Sequence, residues 1–281
     1  MNVTLGTRRD ARAVATVGGH ESRRFALPAW ARPLVTLLGL LLLWQAVVLT
    51  GRIPQEYLPG VPAIAAAFVA QLGAREFWAG EALTMSRAIG GLLLATLSGV
   101  GFALLGARHR VVQRALAPLS QIMLSLPPAA LVPLSIFALG LGAALYTFII
   151  WFACVWTIYA SAVSALEASE PVQRHAARSF GYGAWECLWR VRLPAAWPEI
   201  FTGIRIAAAG SLMAAVAAEM LAGTDGLGFM LYDTAFSLRI PEMFALLAVM
   251  GLNGVALNGV VVRLRRRVAG WHDELAKMAG A

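Results

Sequence analysis

Apolar residues gather into long runs separated by short polar stretches, and the runs have the length needed to cross a bilayer as helices. They predict about six spans, near Leu34–Thr50, Ala82–Gly106, Ala115–Ala138, Ala143–Ala165, Ala195–Ala222 and Met243–Val262. Residues 51–81 include VPAIAAAFVAQLGAREFW, which repeats at helical spacing but carries too many polar groups to cross. A helix lying at the outer membrane surface is expected there. The chain thus divides into a tail (1–33), a first span with its surface segment (34–81), a transmembrane domain (82–262) and a second tail (263–281). The predicted fold class is all-α and polytopic.

Features inside the runs refine this picture. Gly91, Ala95, Gly99 and Ala103 recur every four residues, a ridge of small side chains that lets another helix approach closely. Pro127, Pro128 and Pro133 remove three backbone donors from the third run, which predicts a kinked helix lining a pathway or shaping the bundle. Gly140-Leu141-Gly142 marks a turn before the fourth run, and Gly226-Leu227-Gly228 lies in the loop after the fifth. Glu219, near the far end of the fifth run, is a carboxylate at membrane depth. It is expected to face the pathway or a partner near an outer gate, or else to reach headgroups.

The most polar interruption is Glu167–Pro194, EASEPVQRHAARSFGYGAWECLWRVRLP. Ser169 is a candidate N-cap, Pro171 suits a first helical turn, and Gly181 can end that helix in a left-handed conformation. A second short helix is expected from Ala184 to Val191, with Trp185, Leu188 and Trp189 on one face and Glu186 able to pair with Arg190 on the other. The expectation is a helix-turn-helix elbow presented to water.

Composition supports the membrane reading: 59% of residues are hydrophobic and 14% charged, too apolar for a soluble domain of 281 residues. The net charge of +8 could suggest nucleic acid, but the basic residues border the apolar runs and no aromatic-basic platform accompanies them. If polar segments alternate sides, the tails, the 107–114 loop and the elbow share one strongly basic side. The positive-inside rule then puts both termini and the elbow in the cytoplasm. Cys154 and Cys187 have no metal-ligand spacing and read as packing residues.

The elbow resembles the cytoplasmic EAA loop of ABC-importer permeases. His175-Ala176-Ala177, Gly181, Val191, Leu193 and Pro194 keep every interval of that pattern, with His175 in place of its glutamate and Val191 in place of its isoleucine. Thr84, Arg87, the run from Leu126 to Leu134, and Ala218-Glu219 before Gly226-Leu227-Gly228 look like the subgroup importing nitrate, sulfonates and taurine; relatives carrying pyrimidine precursors or riboflavin stay open. The resemblance implies a type I importer fold and an inner-membrane permease working as a dimer, with two cytoplasmic ATPase subunits and a periplasmic binding protein. It also implies that the EAA residues, braced by Trp185 and Trp189, couple the ATPase to the fifth span. No cofactor is expected on this chain, which lacks a G-x-x-x-x-G-K-[ST] loop, so ATP and magnesium would belong to the ATPase.

A membrane enzyme is the rival from another class, but no H-E-x-x-H or G-x-S-x-G occurs, and His20, His109, His175 and His272 all fall in segments expected in the cytoplasm. A passive channel is the third reading. It would need neither an ATPase nor ATP.

Overall fold

The computed structural model describes Pro28, residues 31–54, 56–168, 177 and 179–279, with side chains through residue 270. Ser169, Pro171, His175, Ala176 and Arg178 lie outside the described residues, as does most of the N-terminal tail. Residues 1–52 and 53–281 form two separate units. The first contains helix α1, Ala31–Leu49, whose leucine-rich run is long enough to cross a bilayer.

In the second unit the described elements are α2 (Val61–Leu72), α3 (Arg75–Arg108), α4 (Arg110–Ser125), a 3-10 turn (Pro128–Leu131), α5 (Val132–Leu139), α6 (Ala143–Glu167), α7 (Ala184–Ala222), α8 (Leu227–Phe236) and α9 (Ile240–Ala279, interrupted at Ala269). Among the described residues of the whole chain, five helices are long and apolar enough to span a bilayer, or six if the bent pair α4–α5 is one span.

The centre of this unit is α6, which is buried nearly all round through Leu145, Ile149, Ile150, Val155, Ile158 and Ala162. It packs chiefly against α3 on one side and α7 on the other. The α3 ridge expected from the sequence makes the first contact possible: Gly91, Ala95, Gly99 and Ala103 are all buried. A Cβ on Gly99 would come within 2.9 Å of the Val155 carbonyl, and one on Gly91 would lie 2.7 Å from the Ile150 Cβ. The ridge therefore serves a helix of its own chain. Gly203 of α7 meets Ser161 in the same way, and the Cys154 thiol donates to the Ala207 carbonyl at 3.3 Å. Without solvent to drive helices together, such close backbone approach and interhelical hydrogen bonds hold the bundle.

Four expectations are corrected. The third run is not one kinked helix: α4 ends at Ser125 and α5 starts at Val132, with a bend of 93° between them. Two adjacent prolines explain this, because each forces its predecessor away from α geometry, and Leu126 and Pro127 are extended, with ψ of 122° and 123°. The second elbow helix is not separate, for α7 runs without interruption from Ala184 to Ala222. Its turns through Leu188–Arg192 widen to the π form, the Leu193 N–H reaching the Leu188 carbonyl. This widening falls where the Pro194 ring would crowd the Arg190 carbonyl of a regular helix. The surface segment gives up residues 75–81 to the first turns of α3. The loop after α7 contains α8, whose glycine start had suggested only a turn.

Replacing Gly99 with Leu is expected to overpack the α3–α6 contact and cost about 1–3 kcal/mol. Gly101→Leu, where a Cβ meets nothing within 4 Å among the described residues, should stay within about 0.5 kcal/mol of the parent. Unfolding of the two purified variants in detergent checks this; equal stability would mean that the ridge does not set helix spacing.

Candidate functional site

Two regions at opposite ends of α7 carry most of the residues that the sequence singled out. The regular part of the helix separates them by about 39 Å, the rise of the residues from Leu193 to Glu219.

At the far end, Glu219 is fully buried. Its Oε1 accepts from Arg87 Nη1 at 2.8 Å, and its Oε2 accepts from the Thr84 hydroxyl at 2.8 Å and the Gly228 N–H at 3.0 Å. Arg87 also donates through Nη2 to Asp225 at 2.8 Å, and its guanidinium lies over the Tyr146 ring, 3.8 Å from the centroid. Thr84 in turn accepts from the Leu227 N–H at 2.8 Å. One carboxylate thus ties α3, α7 and the first turn of α8, where unpaired helix N–H groups favour negative charge.

The glycines of the following loop are what let the chain wrap this carboxylate. Gly226 has φ of +93°, and a Cβ there would lie 2.5 Å from both Glu219 oxygens; a Cβ on Gly228 would lie 2.7 Å from the Glu219 Cβ. A side chain at either position would push the loop off the ion pair. Glu219 consequently does not reach for headgroups. Direct contact with cargo would require this network to open, because its carboxylate is enclosed by its own chain. Thr84 and Arg87 were legible as notable residues but not as its partners. The signal was present, since a buried carboxylate needs a cation and only Arg87 and Arg205 lie within the predicted spans.

At the near end, Ala177 and Ser179 are helical and Gly181 adopts φ of +80°. The Tyr182 N–H returns to the Ala177 carbonyl at 3.1 Å, the bond that closes a helix end through a left-handed residue. Glu186 does not pair with Arg190 as expected. It turns back to accept from the Gly183 N–H at 3.2 Å, starting α7, while Arg190 sits 5.7 Å from the Tyr182 ring centroid. The face also divides differently from the expectation: Leu188 is buried, whereas Trp185 and Trp189 are exposed and meet edge to face at 5.6 Å. Ala177 and Leu193 are buried, and Val191 and Pro194 are half-buried. Arg192 donates to the Leu166 carbonyl at 2.8 Å, fastening the base of α7 to the end of α6. The expected pathway prolines lie apart from both regions, Pro127 and Pro133 exposed and Pro128 half-buried at the α4–α5 break.

A double-mutant cycle checks the far-end network. Glu219→Leu or Arg87→Met alone is expected to cost about 3–5 kcal/mol, each leaving a charge buried without its counterpart. The double variant should cost less than the sum by about 1 kcal/mol or more. Strict additivity of unfolding free energies would show that the pair is not energetically coupled.

The family described as binding-protein-dependent transport system inner membrane component matches residues 99–270. The taurine transport system permease protein TauC of Escherichia coli (strain K12) is 29% identical over 245 residues, covering 85% of this chain and 89% of that protein. The riboflavin transport system permease protein RibX of Chloroflexus aurantiacus is 30% identical over 256 residues, covering 89% and 92%. A structure of the MetNI methionine ABC transporter in an inward-facing conformation shares the fold, with a TM-score of 0.57 at 17% identity, over 69% of this chain and 95% of that one. The elbow at the base of α7 and its far-end anchor are therefore parts of a transport protein: the chain belongs to the binding-protein-dependent transport system inner membrane components, multi-pass permease subunits of ABC importers and not enzymes.

Proposed function

We propose that this permease imports a small solute bearing an oxyanion group, of the sulfonate or nitrate class, as a homodimer with two ATPase subunits and a substrate-delivering binding protein. Both termini and the elbow lie on the ATPase side, and the chain itself holds no cofactor, ATP and magnesium being bound by the ATPase. Similarity to a taurine permease over most of the chain supports the cargo class. The RibX similarity supports riboflavin as the second reading.

The observation that carries the mechanism is the continuity of α7. ATP-driven movement reaches the bilayer through a contact that passes force, and the exposed residues Gly181, Trp185 and Trp189 stand at the base of a helix that runs unbroken to Glu219. His175, Ala176 and Ala177 precede this base, while Val191, Leu193 and Pro194 follow it. Together they form the docking element. At the other end, the Glu219 network holds the outer gate, and the break at Pro127, Pro128 and Pro133 shapes the wall of the pathway.

Gly181→Val tests the coupling. Among the described residues a Cβ at Gly181 meets nothing within 4 Å, so the effect expected of the substitution is conformational. Holding a side chain at positive φ costs about 1–2 kcal/mol. If that strain falls on the docked state, the docked fraction drops by roughly 5–30-fold. The expected phenotype is an inserted permease with weakened ATPase association or ATP hydrolysis uncoupled from uptake. Full subunit composition with normal ATP-dependent uptake would remove the elbow from the mechanism. Labelling a cysteine at position 179 from the periplasmic side would overturn the orientation. Uptake of riboflavin but not taurine by the reconstituted importer would favour the second cargo.

A further inference from the structure

We propose that Arg205 is an anion-recognition point on the translocation surface, receiving the oxyanion group of the cargo on its two Nη groups; this rests on the cargo class proposed above. Arg205 lies about 18 Å from Leu193 and about 26 Å from Ala222 along the regular part of α7. An apolar layer of about 30 Å centred on that stretch contains it.

At this depth the residue is exposed, on a stripe with Thr202, Ala209 and Met213, which are exposed too. A guanidinium turned toward lipid tails is costly, so a helix face that carries one within the membrane is turned toward protein or water. The side chain is also held in place. Nε donates to Oδ1 of the half-buried Asn258 on α9 at 2.6 Å, while among the described residues Nη1 and Nη2 make no hydrogen bond or ion pair.

The chemistry of this partner matters. An asparagine carbonyl fixes the plane of the guanidinium without neutralising its charge, and the free edge presents paired N–H groups at the spacing of two oxygens on one atom. A sulfonate or nitrate group fits that edge. Riboflavin, with no such group, does not. Arg87, at the far end of α7, shows the contrast, because both of its Nη groups are taken by carboxylates.

The test uses the complete importer, reconstituted in proteoliposomes with its ATPase and binding protein, with labelled taurine and labelled nitrate as probes. Arg205→Gln is expected to lower uptake of the transported probe about tenfold or more, the loss of a charge-assisted contact, with subunit composition retained. Arg205→Lys should restore part of the uptake, because it keeps the charge and loses the fork. An Arg205→Cys importer should react with a negatively charged, membrane-impermeant methanethiosulfonate above the background of the two buried native cysteines, and the transported probe should slow that reaction. Uptake by Arg205→Gln equal to that of the parent overturns the assignment. So does an unreactive or unprotected cysteine at 205, the outcome expected if the arginine reaches headgroups or only packs. A parent importer that moves neither probe overturns the cargo class, and the anion site with it, leaving family membership intact. If the Gln variant fails to assemble, the Lys and Cys variants decide.

Discussion

The carboxylate of Glu219 has no water to turn to, and the architecture at its end of the bundle follows from meeting that need. An ionised group removed from solvent is tolerated when opposite charge and hydrogen-bond donors surround it. Arg87 supplies the charge, and the Thr84 hydroxyl and Gly228 N–H supply the remaining donors. Arg87 and Thr84 come from α3 and Gly228 from α8, so satisfying one side chain of α7 fixes these three helices against one another. The constraint then spreads outward. Gly226 and Gly228 must lack side chains for the loop to come this close, and Arg87 lies over the Tyr146 ring of α6 while it reaches both acids. A polar group that costs energy to bury thus becomes the point at which four helices meet.

Along α7 this anchor is the last of several. The base is tied to the end of α6 through Arg192 and the Leu166 carbonyl, the middle is pressed onto α6 at Gly203 and linked to α9 through Arg205 and Asn258, and the top is held by Glu219. A helix fixed to its neighbours along its length moves with them or not at all, because close-packed interfaces shift between discrete arrangements instead of deforming smoothly. Displacement of the elbow would therefore carry α6 and α7 as a pair. The α4–α5 segment, broken by adjacent prolines, is less tightly joined to that pair.

The sequence made the apolar runs and the helix end at Gly181 legible because both depend on local features: uninterrupted hydrophobicity and the glycine that ends a helix. The ridge on α3 was legible as a packing surface, but its partner was not, since four-residue spacing says nothing of which helix lies opposite. The 93° break was missed because proline chemistry admits both a kink and a break, and tertiary packing decides between them. The continuity of α7 was missed for a related reason, as a π turn has no distinctive composition and a polar stretch followed by Pro194 reads as an end. The Glu219 network required pairing residues more than a hundred positions apart, which periodicity cannot do.

Those pairings also sort the two arginines that the apolar runs contain, which look alike as sequence. Arg87 and Arg205 both interrupt hydrophobic helices, and both must be satisfied at depth. Arg87 is enclosed by Glu219, Asp225 and Tyr146 with 14% of its side chain exposed, so its charge is consumed within the chain. Arg205 is exposed and meets a neutral amide that orients it without cancelling it. The same residue type acts in one place as a structural tie and in the other as an unspent charge on an open face. Burial and partner chemistry, which depend on the fold, make that distinction where hydropathy cannot.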